Sequence, residues 1–118
     1  MKKIENSFKV SGFIGKDAET RQFQNNTKAT FSLAIVRNDK VGEETKRTSA
    51  FINVEAWRKN EKAQNAFSIL KAKAAITVEG YFNPEEWTDK DGKKQQRVTL
   101  VATRFYETPD KEEEENPS

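Results

Sequence analysis

Trp87 stands among basic residues, and this combination is the first sign of binding chemistry in the chain. The sequence around it reads NPEEWTDKDGKKQQR, so Lys90, Lys93, Lys94 and Arg97 all follow the ring within ten residues. A flat indole stacks on other flat rings, and cations attract negatively charged groups. The segment therefore indicates a binding surface more readily than a purely structural arm.

A second pair of aromatic residues lies in the predicted strand 50–57. Because successive side chains of a strand point to opposite faces, Phe51 and Trp57 share one face with Asn53 and Glu55. The other face is aliphatic, with Ile52, Val54 and Ala56. If the aliphatic face is buried, the two rings are exposed. Burial of Trp57 under the following helix is the rival interpretation, and Tyr81 could equally stack or pack in a subunit contact.

A long hairpin must position Trp87. Two apolar runs, 76–82 and 98–102, flank a polar segment in which the pair Asp91-Gly92 favours the positive backbone angles of a reversal. The polar segment is too long for a two-residue turn. We therefore expect a projecting β-ribbon with Trp87 at its base and the cations around its tip.

The rest of the chain has two further strands by the same period-two pattern, over 8–14 and 29–35. Residues 17–21 are a predicted loop. Residues 37–48, RNDKVGEETKRT, have no apolar period and include a glycine, so they are predicted to form a mobile loop between two strands.

Residues 59–73 change to helical spacing of apolar side chains, with Asn60 as the predicted N-cap. Three strands, one helix and a long hairpin match a five-stranded Greek-key barrel, the all-β oligonucleotide-binding (OB) fold. In that fold the α-helix lies between strands 3 and 4, and the hairpin is formed by strands 4 and 5.

Charge and composition divide the chain into a predicted domain, 1–108, and a predicted disordered acidic tail, 109–118. The net charge is +2, but residues 1–108 carry 20 Lys and Arg against 14 Asp and Glu, whereas the tail has one Lys and five acids. The tail has no apolar residue that could stabilise an ordered structure. A basic domain favours an acidic partner.

The chain has no cysteine and no histidine, which removes disulfides, thiolate zinc sites and the commonest general base. No nucleophile, base and metal ligands converge, so we expect no enzyme activity, metal or cofactor. No apolar run has the roughly 20 residues of a membrane span, and Met1-Lys2-Lys3 is not followed by a signal-peptide core. We expect a cytoplasmic protein without membrane contact.

Four segments resemble the bacterial single-stranded DNA-binding proteins that have an OB fold. They are VSGFIGKDAETR at 10–21, ATFSLAIVRNDK at 29–40, VEGYF at 78–82 and WTDKDG at 87–92. The likeness covers about residues 6–105. It implies a homotetramer or homodimer with single-stranded DNA wrapped over the barrels, acting in DNA replication, recombination or repair.

The acidic end of the chain departs from that family. Family tails typically finish with a proline and a terminal aromatic that binds replication or repair proteins, whereas this chain ends Glu115-Asn116-Pro117-Ser118. The chain resembles a short variant that lacks this tip, and the departure argues against protein binding through it.

Binding of single strands without sequence preference requires flat apolar surfaces for bases and spaced cations for phosphates. The predicted DNA-binding residues are Phe51, Trp57, Trp87, Tyr81, Arg37, Lys46, Arg47, Lys59, Lys71, Lys73, Lys93, Lys94 and Arg97.

Two alternatives use the same residues. One is an OB-fold protein-interaction module of the primosome type, which Glu55, Glu85 and Glu86 favour. The other is an RNA-binding OB protein, because stacking surfaces accept either sugar.

Overall fold

The computed structural model describes residues 2–110, which form six strands and one helix. Their bounds are β1 Phe8–Ile14, β2 Glu19–Gln22, β3 Asn26–Val41, β4 Glu44–Lys59, α1 Asn60–Phe67, β5 Ala75–Thr88 and β6 Lys94–Glu107. Five of the strands close a barrel in the order β1, β5, β6, β4, β3, with β3 returning to β1. The short β2 extends the sheet beside β3. The predicted five-stranded OB fold is confirmed, with its helix before the final long hairpin.

The division into a domain 1–108 and a tail 109–118 stays a prediction, because residues 111–118 lie outside the described part. Within residues 2–110, no helix is long and apolar enough to cross a membrane.

The aliphatic faces of β3 and β4 supply part of the barrel core, together with buried side chains of β1, β5 and β6. The antiparallel register of β3 and β4 sets Phe31 opposite Val54, and both side chains are buried. Leu33 is likewise buried opposite Ile52. The prediction that the aliphatic faces of these strands point into the core is therefore confirmed. Burial of each large apolar side chain contributes roughly 1.5–3 kcal/mol to stability.

The helix closes one end of the barrel with Ala63 and Phe67, which are both buried. The ring of Phe67 stacks on Phe105 of β6, with 5.8 Å between centroids. The predicted helix 59–73 is too long, because α1 ends at Phe67 and the chain continues in turns. Leu70 nevertheless stays buried, since a turn preserves the spacing of three to four residues that suggested a helix.

The predicted mobile loop 37–48 is wrong in its secondary structure. β3 and β4 continue through this segment as a hairpin, paired residue by residue as far as Val41 and Glu44. Gly42 has a φ of +66° in the turn. The polar strands pair through backbone hydrogen bonds, which need no apolar period. The predicted loop 17–21 is too long, because β2 begins at Glu19.

The final hairpin is a ribbon paired as far as Thr88 and Lys94. Its turn depends on Asp89, whose carboxylate accepts hydrogen bonds from the backbone N–H groups of Asp91 and Lys93 and from the side chain of Gln95. These bonds lower the pKa of Asp89 below its ordinary value, and the bond from the Lys93 N–H has the largest effect. Of the predicted pair Asp91-Gly92, only Gly92 has a positive φ, +80°.

The position predicted for Trp87 is wrong. It pairs with Gln95, one step from the last pair of the ladder, and therefore lies near the tip of the ribbon rather than at its base. The strands extend further than their apolar runs indicate, so the ring is carried outwards.

Gly80 marks the point where the ribbon leaves the barrel. The ladder between β5 and β6 shifts register at Glu79 and Gly80, and a Cβ at Gly80 would collide with the backbone carbonyl of Val101. Only a residue without a side chain allows this close approach.

We predict that Gly80→Ala lowers the free energy of unfolding by about 1–3 kcal/mol, because backbone atoms must move to admit the methyl group. Urea denaturation measures the change. The control is Gly15→Ala, whose methyl would meet only the movable ring of Phe51. Equal stability of Gly80→Ala and wild type would contradict this account of the bulge.

Candidate nucleic-acid interface

The outward side of β4 carries two of the predicted stacking residues. Phe51 is 66% exposed and Trp57 is 40% exposed, whereas Ala56, which alternates with them, is fully buried. Trp57 therefore points away from the core and away from α1, which excludes its burial under the helix. The face that alternation predicted to be open is open.

Trp57 lies in a cluster of rings and cations. The ring of Phe23 lies 5.4 Å from it between centroids, and the Lys28 ammonium is 5.8 Å from its centroid. The guanidinium of Arg21 lies 5.1 Å from the Phe23 centroid. We call Arg21, Phe23, Lys28 and Trp57 the Trp57 cluster. It combines flat apolar surface with positive charge.

Asn60 holds the turn that carries Phe23. Its side-chain amide donates to the backbone carbonyls of Phe23 and Gln24 and accepts a hydrogen bond from the Thr27 hydroxyl. The predicted N-cap role of Asn60 is therefore wrong, since Lys59 occupies that position without a side-chain cap bond. The amide is used for a tertiary contact that only the folded chain offers.

Trp87 and Arg97 form a second ring and cation pair on the ribbon. The guanidinium carbon of Arg97 lies 5.3 Å from the Trp87 centroid, and its Nε donates to Glu85 at 2.6 Å. Glu85 accepts another bond from the Thr99 hydroxyl at 2.8 Å. The bonds from Arg97 and then Thr99 lower the pKa of Glu85, so it is ionised at neutral pH.

An open groove of about 500 Å³ lies between the outward side of β3 and β4 and the ribbon. We call it the trough. Its charged lining is mixed rather than uniformly basic, with cations Lys16, Lys28 and Arg97 and acids Asp17, Glu19 and Glu55. Lys16 is 3.7 Å from Glu19, and Arg97 is paired with Glu85. The cations of the trough therefore do not form a uniformly basic path.

A family model, the single-strand binding protein family, matches residues 5–107. The chain belongs to this family. The resemblance seen in its sequence segments is thereby confirmed. No curated protein sequence matches the chain significantly.

The family fold is also found among solved structures. The chain is similar to the Plasmodium falciparum SSB in its complex with ssDNA, with a TM-score of 0.72 and 16% sequence identity. The likeness covers 92% of this chain and 99% of the other. At this identity it establishes a shared fold.

Alternation along the strands places some of the remaining predicted DNA-binding residues on the outward face. Arg47 and Lys59 lie on the same side of β4 as Phe51 and Trp57, and Tyr81 lies on the side of β5 that carries Trp87. These residues are brought to the outward face.

Alternation puts other predicted cations on the opposite side. Arg37 and Lys46 lie on the inner side of the β3–β4 hairpin, where Arg37 pairs with Asp39 at 2.9 Å. Lys94 lies on the far side of the ribbon and is 3.6 Å from Glu86. The fold does not bring these three to the face of the rings.

Three predicted cations lie at turns. Lys93 closes the ribbon turn, accepting a hydrogen bond from the Asp89 N–H. Lys71 lines a separate cleft between β2 and α1, and Lys73 lies in the connection to β5, where its N–H donates to Ile14. Neither Lys71 nor Lys73 lines the trough, although the N–H of Ala72 between them donates to the carboxylate of Asp17 in its lining.

Sequence reasoning missed Arg21, Phe23 and Lys28. Arg21 is opposite Lys28 in the pairing of β2 with β3, and Lys28 is opposite Trp57 in the pairing of β3 with β4. The one available signal in the sequence was that Lys28 alternates with the apolar Ala29, which places Lys28 on the outward face of β3. The register across three strands is not visible in the chain order.

The described residues offer little to a metal ion. Within residues 2–110, no group of three or more acidic side chains could hold one. The absence of catalysis and of a cofactor stays a prediction.

We predict that Asn60→Ala lowers the free energy of unfolding by about 1–3 kcal/mol, because it leaves two backbone carbonyls and a hydroxyl without their partner. Thermal denaturation measures the loss. The matched control is Asn65→Ala in the same helix, whose exposed side chain makes no hydrogen bond within residues 2–110. Equal losses in both variants would contradict a stabilising role of the Asn60 side-chain hydrogen bonds.

Proposed function

We propose that this member of the single-strand binding protein family stacks bases on Phe51, Trp57 and Trp87 and binds phosphates with neighbouring cations, without sequence preference. Single-stranded DNA binding itself is the function of the family to which the chain belongs. The observation that supports the residue assignment is the exposure of these three large rings, two of which, Trp57 and Trp87, have a cation beside them. The proposed context is DNA replication, recombination or repair.

Base stacking supplies the sequence tolerance in this proposal. Every base has a flat π face, and each base stacked on an aromatic side chain is worth about 1–3 kcal/mol by alanine substitution. The Trp57 cluster and Phe51 form one stacking area on β4, while Trp87 and Tyr81 offer another on β5. A strand that crosses both areas passes over the trough.

Phosphate binding falls to the cations that share this face. Lys28 and Arg21 lie against the stacking rings, and Arg47 and Lys59 share their side of β4. Counterions released from the strand make such contacts dependent on salt, with a slope of about −0.7 per neutralised phosphate for a single strand.

We predict that Trp57→Ala and Trp87→Ala each weaken binding to a thymine oligomer by about 1–3 kcal/mol, since each removes one stacking surface. Fluorescence anisotropy of a labelled oligomer measures the affinity. The control is Phe82→Ala, because Phe82 is also 40% exposed but lies on the other side of β5 and packs on Phe8. Unchanged affinity in both tryptophan variants would contradict the assignment of these residues to the binding site.

Measurements of tryptophan emission and of oligomer competition test the two alternatives. A protein-interaction module, which the acids of the trough favour, would leave the tryptophan emission unchanged on addition of oligonucleotide. Stacking would quench it. Competition between thymine and uracil oligomers distinguishes a DNA-binding protein from one that prefers RNA.

We also propose that the chain assembles as a homodimer or homotetramer, as the family resemblance implies. Phe13 on β1 is 49% exposed and forms a shallow hollow with Val36 and Ala75. The ladder partner of Phe13 is Ala34, which is itself the partner of Phe51, so the hollow borders the stacking area. Exposed apolar patches of this kind are commonly covered by a partner.

We predict that sedimentation equilibrium gives two or four times the chain mass, and that Phe13→Asp shifts the population towards monomer by placing a charge in the interface. Ile4→Asp is the control, because Ile4 is 84% exposed and precedes β1. A monomeric wild type would contradict the proposed assembly. A cytoplasmic location, and protein partners at the tail, stay predictions.

A further inference from the structure

Glu85 is a carboxylate placed where a strand of phosphates would pass. Its Oε2 accepts hydrogen bonds from the Arg97 Nε at 2.6 Å and the Thr99 hydroxyl at 2.8 Å, and both partners line the trough. Two bonds to one oxygen hold the carboxylate against Arg97 and Thr99 of the trough lining. The side chain of Arg97 is still 65% exposed, so an incoming anion can reach it.

We propose that Glu85 is a built-in competitor of DNA phosphate for Arg97, so that it reduces both the affinity for single strands and the dependence of that affinity on salt. The inference rests on the proposed function of the trough. Glu85 changes how tightly a single strand binds, and not which ligand is bound.

The competition follows from the chemistry of the guanidinium. Carboxylate and phosphate are both oxyanions that bind the planar donors of arginine, so both cannot occupy the same donors. A phosphate at Arg97 must displace Glu85 or lie beside its negative charge. Either outcome costs binding free energy that a neutral side chain at 85 would not cost.

The neighbouring acid supplies a matched control. Glu86 follows Glu85 directly, lies on the opposite side of the ribbon and is 3.6 Å from Lys94. Replacing either acid by glutamine changes the net charge by the same amount, at almost the same place in the chain. Only Glu85→Gln releases a cation of the trough.

The test is titration of a labelled thymine oligomer with wild type, Glu85→Gln and Glu86→Gln over a range of salt concentrations. We expect Glu85→Gln to bind about three- to tenfold more tightly than Glu86→Gln at low salt, through the released arginine. The plot of log affinity against log salt should steepen by about 0.7, the value for one added phosphate contact.

A double-mutant cycle with Arg97→Gln completes the experiment. If Glu85 acts through Arg97, Glu85→Gln gives no selective gain when Arg97 is already replaced. Equal gains for the two acids would reduce the effect to net charge and overturn the inference. Weaker binding by Glu85→Gln would also overturn it, by showing that Glu85 positions Arg97. Absence of binding by wild type would instead overturn the proposed function.

Discussion

The strict alternation of side chains along β4 is the constraint on which the rest of the structure depends. β4 pairs with β3 on one edge and with β6 on the other, so its two faces cannot rotate independently of the barrel. Val54 and Ala56 are buried, and Phe51 and Trp57 must therefore face outwards. The energy of core burial thus also positions the rings, because a one-residue slip would exchange the two faces.

The parallel pairing of β6 with β4 adds the second half of the interface. It places Leu100 opposite Val54, and alternation then sets Thr99 and Arg97 beside the outward face of β4. The trough is the space enclosed by these strands. Its mixed charge distinguishes it from a uniformly basic groove, since two of its three cations, Lys16 and Arg97, are paired with acids.

The elements with a buried face were predictable because their pattern is local. Alternation located the apolar parts of all five long strands, and the order of strands and helix indicated the OB barrel. Predictions failed where backbone pairing alone decides the structure. Residues 37–48 have no apolar period, yet they complete β3 and β4, because each polar strand satisfies the other's hydrogen bonds. Asn60 similarly resembled a cap but bonds to a turn distant in sequence.

Residue types and their alternation were enough to predict the fold class, the family resemblance and the outward placement of Phe51. The exposure of Trp57, for which burial under the helix was the alternative, was decided by the tertiary structure. Register between strands decided the remainder, because it depends on contacts between residues far apart in the chain. It brought Phe23 and Lys28 to Trp57, paired Arg97 with Glu85, and left Lys71 and Lys73 outside the lining of the trough. A chain order records which side chains alternate, but only the closed barrel decides which of them become neighbours.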